Sequence, residues 1–281
     1  GAAQTTGGDD TIVGFEAGEN LNGGSNCTAI GRSALNASVD GDNNTALGYK
    51  TLLYYEGADG EGMNTAVGSA TGLFVSTGQS NTLMGFRAGQ GVTGARLTGD
   101  NNTAIGKDAG LLLQGAATNN TLLGHSSGSA ITTGGENTAI GDTAGSALTT
   151  GSNNVLLGRD AGSHDVALSD GNLNIVIGNY ADTNATDAEN QVVIGYNASG
   201  VADNSVTLGN ADVTAVYMAQ DSGATVHCAT VAVSDGINFP DDATANPSAD
   251  VNTLDNYEEG SHVVAVSGST TAGSCTTSTH T

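Results

Sequence analysis

Short phrases of the form Asn-Thr-Ala-Ile-Gly recur along most of the chain, and the mark they share is an apolar residue followed by glycine. The pairs are Val13-Gly14, Ile30-Gly31, Leu47-Gly48, Val67-Gly68, Met84-Gly85, Ile105-Gly106, Leu123-Gly124, Ile140-Gly141, Leu157-Gly158, Ile177-Gly178, Ile194-Gly195 and Leu208-Gly209, twelve in all. Successive glycines lie 17, 17, 20, 17, 21, 18, 17, 17, 20, 17 and 14 residues apart. This is a period of 17 with three insertions of three or four residues, one spacing longer by a single residue and a shortened last unit, the signature of a repeat architecture. Asn stands four residues before the glycine in eight units, at Asn44, Asn64, Asn81, Asn102, Asn120, Asn137, Asn154 and Asn174. Ala commonly stands three residues after it, as at Ala34, Ala109, Ala144 and Ala161.

Each unit reads as strand, turn, strand, turn. The phrase before the marked glycine is short and rich in Thr, Val, Ile and Leu, which favours a strand. Residues 128–134 (Gly-Ser-Ala-Ile-Thr-Thr-Gly), echoed at 145–151, are expected to form the second strand and its closing turn. Asn and Gly are expected at the corners, because both tolerate positive φ. Stacked units place equivalent strands side by side in parallel, about 4.8 Å apart, so the expected fold is all-β: a parallel β-solenoid of about twelve 17-residue coils and on the order of 55 Å long. A coil of 17 residues is thin. The positions before the glycine are apolar or Thr in nearly every unit, as in Val155-Leu156-Leu157, and alternate residues of a strand face opposite ways. One face looks into the coil; the other calls for another chain. The sequence therefore predicts an obligate oligomer.

Composition narrows the functions. With 43 Gly, no Trp and 4% aromatic residues, the chain lacks the large anchors of a thick enzyme core. A net charge of −23 repels polyanions, which argues against a nucleic-acid partner. No apolar run approaches the roughly 20 residues of a membrane-spanning helix. Cys27, Cys228 and Cys275 are an odd, widely spaced set that fits neither a disulfide framework nor a zinc site, so they are expected to be packing residues or free thiols. No signal peptide is visible over residues 1–14, and the start reads as a fragment or processed end.

Over residues 9–212 the repeat resembles the head domain of trimeric autotransporter adhesins and the related collar-like repeats of phage tail fibres. The resemblance implies a left-handed parallel β-roll packed as a homotrimer, with no catalytic residues and no cofactor. Residues 235–240 (Asp-Gly-Ile-Asn-Phe-Pro) and 252–260 look like a junction of phage tail-fibre proteins that precedes a distal β-rich domain, here expected to be absent or cut short. Neither membrane-anchor strands nor a heptad stalk follows the roll, which favours the phage or virus fibre. The implied function is host attachment in a virion tail fibre, an extracellular setting. The partners would be a host surface receptor or glycan and other tail proteins, with no membrane insertion. The alternatives are a trimeric bacterial surface adhesin head and, more distantly, a hexapeptide-type acyltransferase.

Several segments invite a chemical reading. Asp9 and Asp10, in Gly7-Gly8-Asp9-Asp10, look like a scrap of a calcium-binding nonapeptide repeat, but Val13-Gly14 is in phase with the 17-residue period and a plain first coil is expected. An acyltransferase helix needs its hexapeptide three times per coil, and here the phrase appears once; its candidate histidine, His125, reads as a solvent-facing turn residue. The three insertions are where a grafted function would sit. The first, residues 54–62, joins two aromatics to three carboxylates, and Tyr54, Tyr55, Glu56, Asp59 and Glu61 are the candidate ligand contacts, with a glycan the expected ligand. Paired carboxylates could also hydrolyse a glycoside, but loops of Gly, Asp and Glu are commonly solvated turns. The second insertion, residues 91–100, carries Arg96, and the third, residues 164–171, opens with His164-Asp165. Sequons at Asn36, Asn184 and Asn197 follow from an Asn/Thr-rich repeat.

The domains expected are a β-roll over residues 1–212, a β-rich trimer-locking segment over 213–240, and an acidic linker over 241–281 that begins a truncated distal domain. Residues 213–218 and 224–233 read as β-like, and His227 and Cys228 fall on alternate faces, which disfavours joint metal ligation.

Overall fold

A computed structural model describes residues 7–58 and 61–217. The chain divides into two units, Gly1–Tyr217 and Met218–Thr281, and the described residues all belong to the first. Each repeat phrase forms a three-residue strand: β1 (Thr11–Val13), β2 (Thr28–Ile30), β3 (Thr45–Leu47), β4 (Thr65–Val67), β5 (Thr82–Met84), β6 (Thr103–Ile105), β7 (Thr121–Leu123), β8 (Thr138–Ile140), β9 (Val155–Leu157), β10 (Ile175–Ile177), β11 (Val192–Ile194) and β12 (Val206–Leu208). They form one twelve-stranded parallel sheet in sequence order. The register holds the repeat in phase, so that Thr138 pairs with Val155, Ala139 with Leu156 and Ile140 with Leu157. The described residues are an all-β solenoid with no helix, and insertions of three or four residues leave the strand register intact.

The central residue of the strand points inward. Ala29, Ala46, Ala66, Leu83, Ala104, Leu122, Ala139, Leu156, Val176 and Val193 are all buried. From the opposite side of the coil come Leu21, Tyr55, Val75, Leu97, Leu113, Ile131, Leu148 and Leu168, also buried. A buried leucine contributes about 1.5–3 kcal/mol and an alanine much less. The apolar core alone is therefore modest.

The second strand expected over residues 128–134 is absent; that side of the coil is a run of turns. The reason lies in the backbone: Ser126 and Gly128 have φ of 52° and 56°, and Thr143 and Gly145 of 55° and 58°. Left-handed residues interrupt an extended chain. Hydrogen bonding between coils persists there nonetheless, with Gly128 N donating to Ala144 O at 2.9 Å and Gly145 N to Ala161 O at 2.9 Å.

A second correction concerns the recurring asparagines. The left-handed corner falls on the residue before each one, as at Asn43 (φ 57°), Asn101 (59°), Asn119 (57°) and Asn153 (61°). The asparagines themselves turn inward, are buried, and form a ladder through the stack. Asn137 donates from its backbone N and from Nδ2 to Asn120 Oδ1, both at 3.1 Å, and Nδ2 also reaches Gly151 O at 2.9 Å. The same pattern runs from Asn64 to Asn174. Aspartate and glutamine take the position near the two ends, where Asp10 Oδ1 accepts Cys27 N at 2.6 Å and Gln191 N donates to Asn174 Oδ1 at 3.0 Å. Cys27 occupies a ladder position and packs as expected, its thiol donating to Gly41 O at 3.2 Å and pushed up in pKa by burial. Cys228 and Cys275 lie outside the described residues.

Of the β-like segment over residues 213–218, residues 213–217 are described, form no strand and are exposed, with no neighbouring coil to pair with among the described residues. The segments over 224–233 and 235–281 lie outside them.

Candidate functional site

Two surfaces stand out. The first is the outward face of the sheet. With the central strand residue buried, the first and third residues of each strand point away from the core. The third residues form an apolar row from Val13 to Leu208, with Leu47, Met84, Leu123, Ile140 and Ile194 between 37% and 44% exposed. Beside it the first residues are Thr in β1–β8 and Val or Ile in β9–β12, so the face is wholly apolar at the β12 end. Twelve in-register strands without a bulge make this one continuous surface, of a kind that marks an interaction site.

Just past the marked glycines, Phe15, Tyr49, Phe86 and Tyr196 are also exposed. Basic groups cover three of these rings: Arg32 lies over Phe15 at 5.5 Å, Lys50 over Tyr49 at 5.3 Å and Arg87 over Phe86 at 5.1 Å. Arg96 and Arg159 lie over Tyr54 and Tyr180. Five of the six Lys and Arg thus engage aromatic rings, and the sixth, Lys107, sits 3.5 Å from Asp108. Little positive charge is left for an anionic partner, in keeping with the net charge of −23.

The second surface is the first insertion. Its two tyrosines split, one inward and one outward. Tyr55 is fully buried, so it belongs to the core and cannot meet a ligand, and burial pushes its pKa up. Tyr54 lies outside, stacked on Phe74 (5.4 Å, 7° between planes), with the Arg96 guanidinium 5.0 Å from its ring centre. Arg96 also holds Glu56 Oε1 at 2.8 Å. The structure thus brings together the first and second insertions, 40 residues apart in sequence. Glu61 turns back to its own loop, its Oε2 accepting the Ala58 N–H at 3.2 Å, and Asp59 lies outside the described residues. The side chains that meet outside the core here are therefore Tyr54, Phe74, Arg96 and Glu56. Arg96 carried no local signal beyond its position in an insertion, and Phe74, in a regular 17-residue unit, carried none.

His125 is exposed as expected; its Nδ1 lies 2.8 Å from Asp142 Oδ1 and its Nε2 3.3 Å from Ser126 Oγ. The chain Ser-His-Asp sits on open surface, with imidazole and carboxylate each about half exposed. The site has no walls to exclude water. Asp10 Oδ1 is taken up by the ladder, and Asp9 is exposed at a corner with φ 62°. No family model matches the chain, and no curated protein or solved structure is significantly similar to it.

Proposed function

We propose that the chain is a non-enzymatic fibre segment that assembles as a homotrimer of left-handed β-rolls and presents contact surfaces to a host cell, as in a phage or virus tail fibre. The observation that carries this reading is the continuous apolar row on the outward face of the sheet. A thin core of mostly Ala and Leu leaves much of the available apolar burial to that face, and threefold packing would cover it. The repetition of the coil surface offers avidity and little selectivity, so recognition of a receptor or glycan is assigned to the insertions.

Light scattering under native conditions is expected to report three times the chain mass, and Leu123→Asp with Ile140→Asp is expected to break the assembly. A folded, soluble monomer of the parent chain would refute the trimer.

Removing three residues within 56–62, sparing the buried Tyr55, restores the Gly48–Gly68 spacing to 17 and touches no strand. The shortened chain is expected to assemble as before and to lose binding to host cells or to isolated surface glycan. Undiminished binding would move recognition away from this insertion.

A further inference from the structure

Two departures from the repeat meet on one edge of the stack. The third insertion lengthens the coil between Gly158 and Gly178 to 20 residues and carries His164 and Asp165. In the next coil, four residues after the marked glycine, stands Asp182, at a position that is glycine in seven of the twelve units and a carboxylate only here. The stacking sets one over the other: His164 Nδ1 lies 3.3 Å from Asp165 Oδ1 and 3.9 Å from Asp182 Oδ2. One ligand atom from each of the three residues falls within 4.8 Å of the others.

The cluster is held before any ligand arrives. The Asp182 side chain is 2% exposed, and three backbone amides fix its carboxylate: His164 N donates to Oδ1 at 3.1 Å, and Asp165 N and Val166 N donate to Oδ2 at 2.6 and 3.3 Å. With a single N–H on it, Oδ1 keeps lone-pair capacity. Tyr180 packs against the imidazole (centroids 4.7 Å apart, planes at 57°), which sets the ring's orientation. The nearby basic group, Arg159, is committed to Asp160 at 3.1 Å and to the Tyr180 ring at 5.0 Å. Among the described residues, neither Asp165 nor Asp182 is paired with a Lys or Arg.

We propose that His164, Asp165 and Asp182 bind a first-row divalent transition ion of the zinc and cobalt class. Metal–ligand bonds of about 2.0–2.2 Å to nitrogen and oxygen place neighbouring ligand atoms about 3–4 Å apart; His164 Nδ1 and Asp165 Oδ1, 3.3 Å apart, already have that spacing, and the Asp182 carboxylate lies within 4.8 Å of both. An imidazole nitrogen among the donors favours such an ion over calcium, which takes six to eight oxygens. The Asp165 side chain is 74% exposed, so the remaining coordination positions open to water. The ion would tie the insertion to the following coil, because its ligands come from both.

The test uses the full, untagged chain, stripped with a chelator and titrated with Co2+ by visible absorption and with Zn2+ by calorimetry. One ion per chain is expected, with Zn2+ displacing Co2+ and raising the melting temperature. His164→Gln and Asp165→Asn, neither at a core position, are each expected to weaken binding at least tenfold. His125→Gln, at the other exposed His–Asp pair, is expected to leave it unchanged. No saturable binding by the parent, equal binding by His164→Gln and Asp165→Asn, or tighter binding of Ca2+ than of Zn2+ would each overturn the proposal.

Discussion

Replacing Gly141 by valine is expected to destabilise the folded stack by more than about 3 kcal/mol, a large share of the 5–15 kcal/mol that holds a typical domain. Gly141 has φ 141°, a region L side chains rarely adopt, and holding a side chain there costs on the order of 1–3 kcal/mol by itself. A Cβ at this position would also lie 2.4 Å from the carbonyl oxygen and 2.6 Å from the carbonyl carbon of Gly158. Both are backbone atoms of the next coil, so relief requires the coils to part and the neighbouring bonds of β8 and β9 to lengthen. A melting curve at fixed protein concentration measures the loss. Gly94→Ala is the control, since nothing lies within 4 Å of its built Cβ, and it is expected to melt within a degree or two of the parent. A Gly141→Val chain that melts like Gly94→Ala would show that coils at the marked glycines have room to separate.

Asn137→Leu is expected to cost about 3 kcal/mol or more at nearly constant volume. The substitution leaves Gly151 O without its donor and strips one donor from Asn120 Oδ1. It also deprives Asn154 N and Nδ2 of the acceptor that both share, Asn137 Oδ1 at 3.0 Å. Each buried polar group left unpaired costs about 1–3 kcal/mol, and none of these can turn to water. Because Asn120 and Asn137 are direct neighbours in the ladder, Asn120→Leu with Asn137→Leu is expected to cost less than the two single changes added together. Chemical denaturation of the four chains checks both expectations; a cost under 1 kcal/mol for Asn137→Leu would mean that the ladder is incidental to stability.

The strands were legible because their signal is local. A Thr or β-branched residue, a small or aliphatic central residue, an outward apolar residue and a glycine repeat in close variants of one phrase, and all twelve strands lie on it. The opposite side of the coil misleads for a physical reason. Residues such as Ile131-Thr132-Thr133 have strand propensity, but the left-handed conformations at Ser126 and Gly128 are set by stacking on the coils above and below. Asn is similarly two-sided, serving at a left-handed corner in Asn119 and as an inward hydrogen-bonding group in Asn120. The adjacent pair Asn-Asn at 43–44, 101–102, 119–120 and 153–154 was the available signal that two roles were present. For the candidate contacts, the aromatic pair was visible in sequence but not which ring turns inward, and the Tyr54–Arg96 contact depends on how two insertions stack across an intervening coil.

Contacts between strands occur only between consecutive ones, and this sets how a single chain answers a pull along the stack. Axial tension passes through the coil-to-coil bonds in series, so each junction bears the whole load and the weakest gives way alone. One released coil of 17 residues adds up to about 55–60 Å of chain in exchange for about 5 Å of folded length. A lone chain would thus pay out like thread from a spool, in steps of one coil. Among the described residues β1 and β12 are each bonded on one side only, and unwinding would begin there, where Val13 and Val206 are already 58% and 66% exposed.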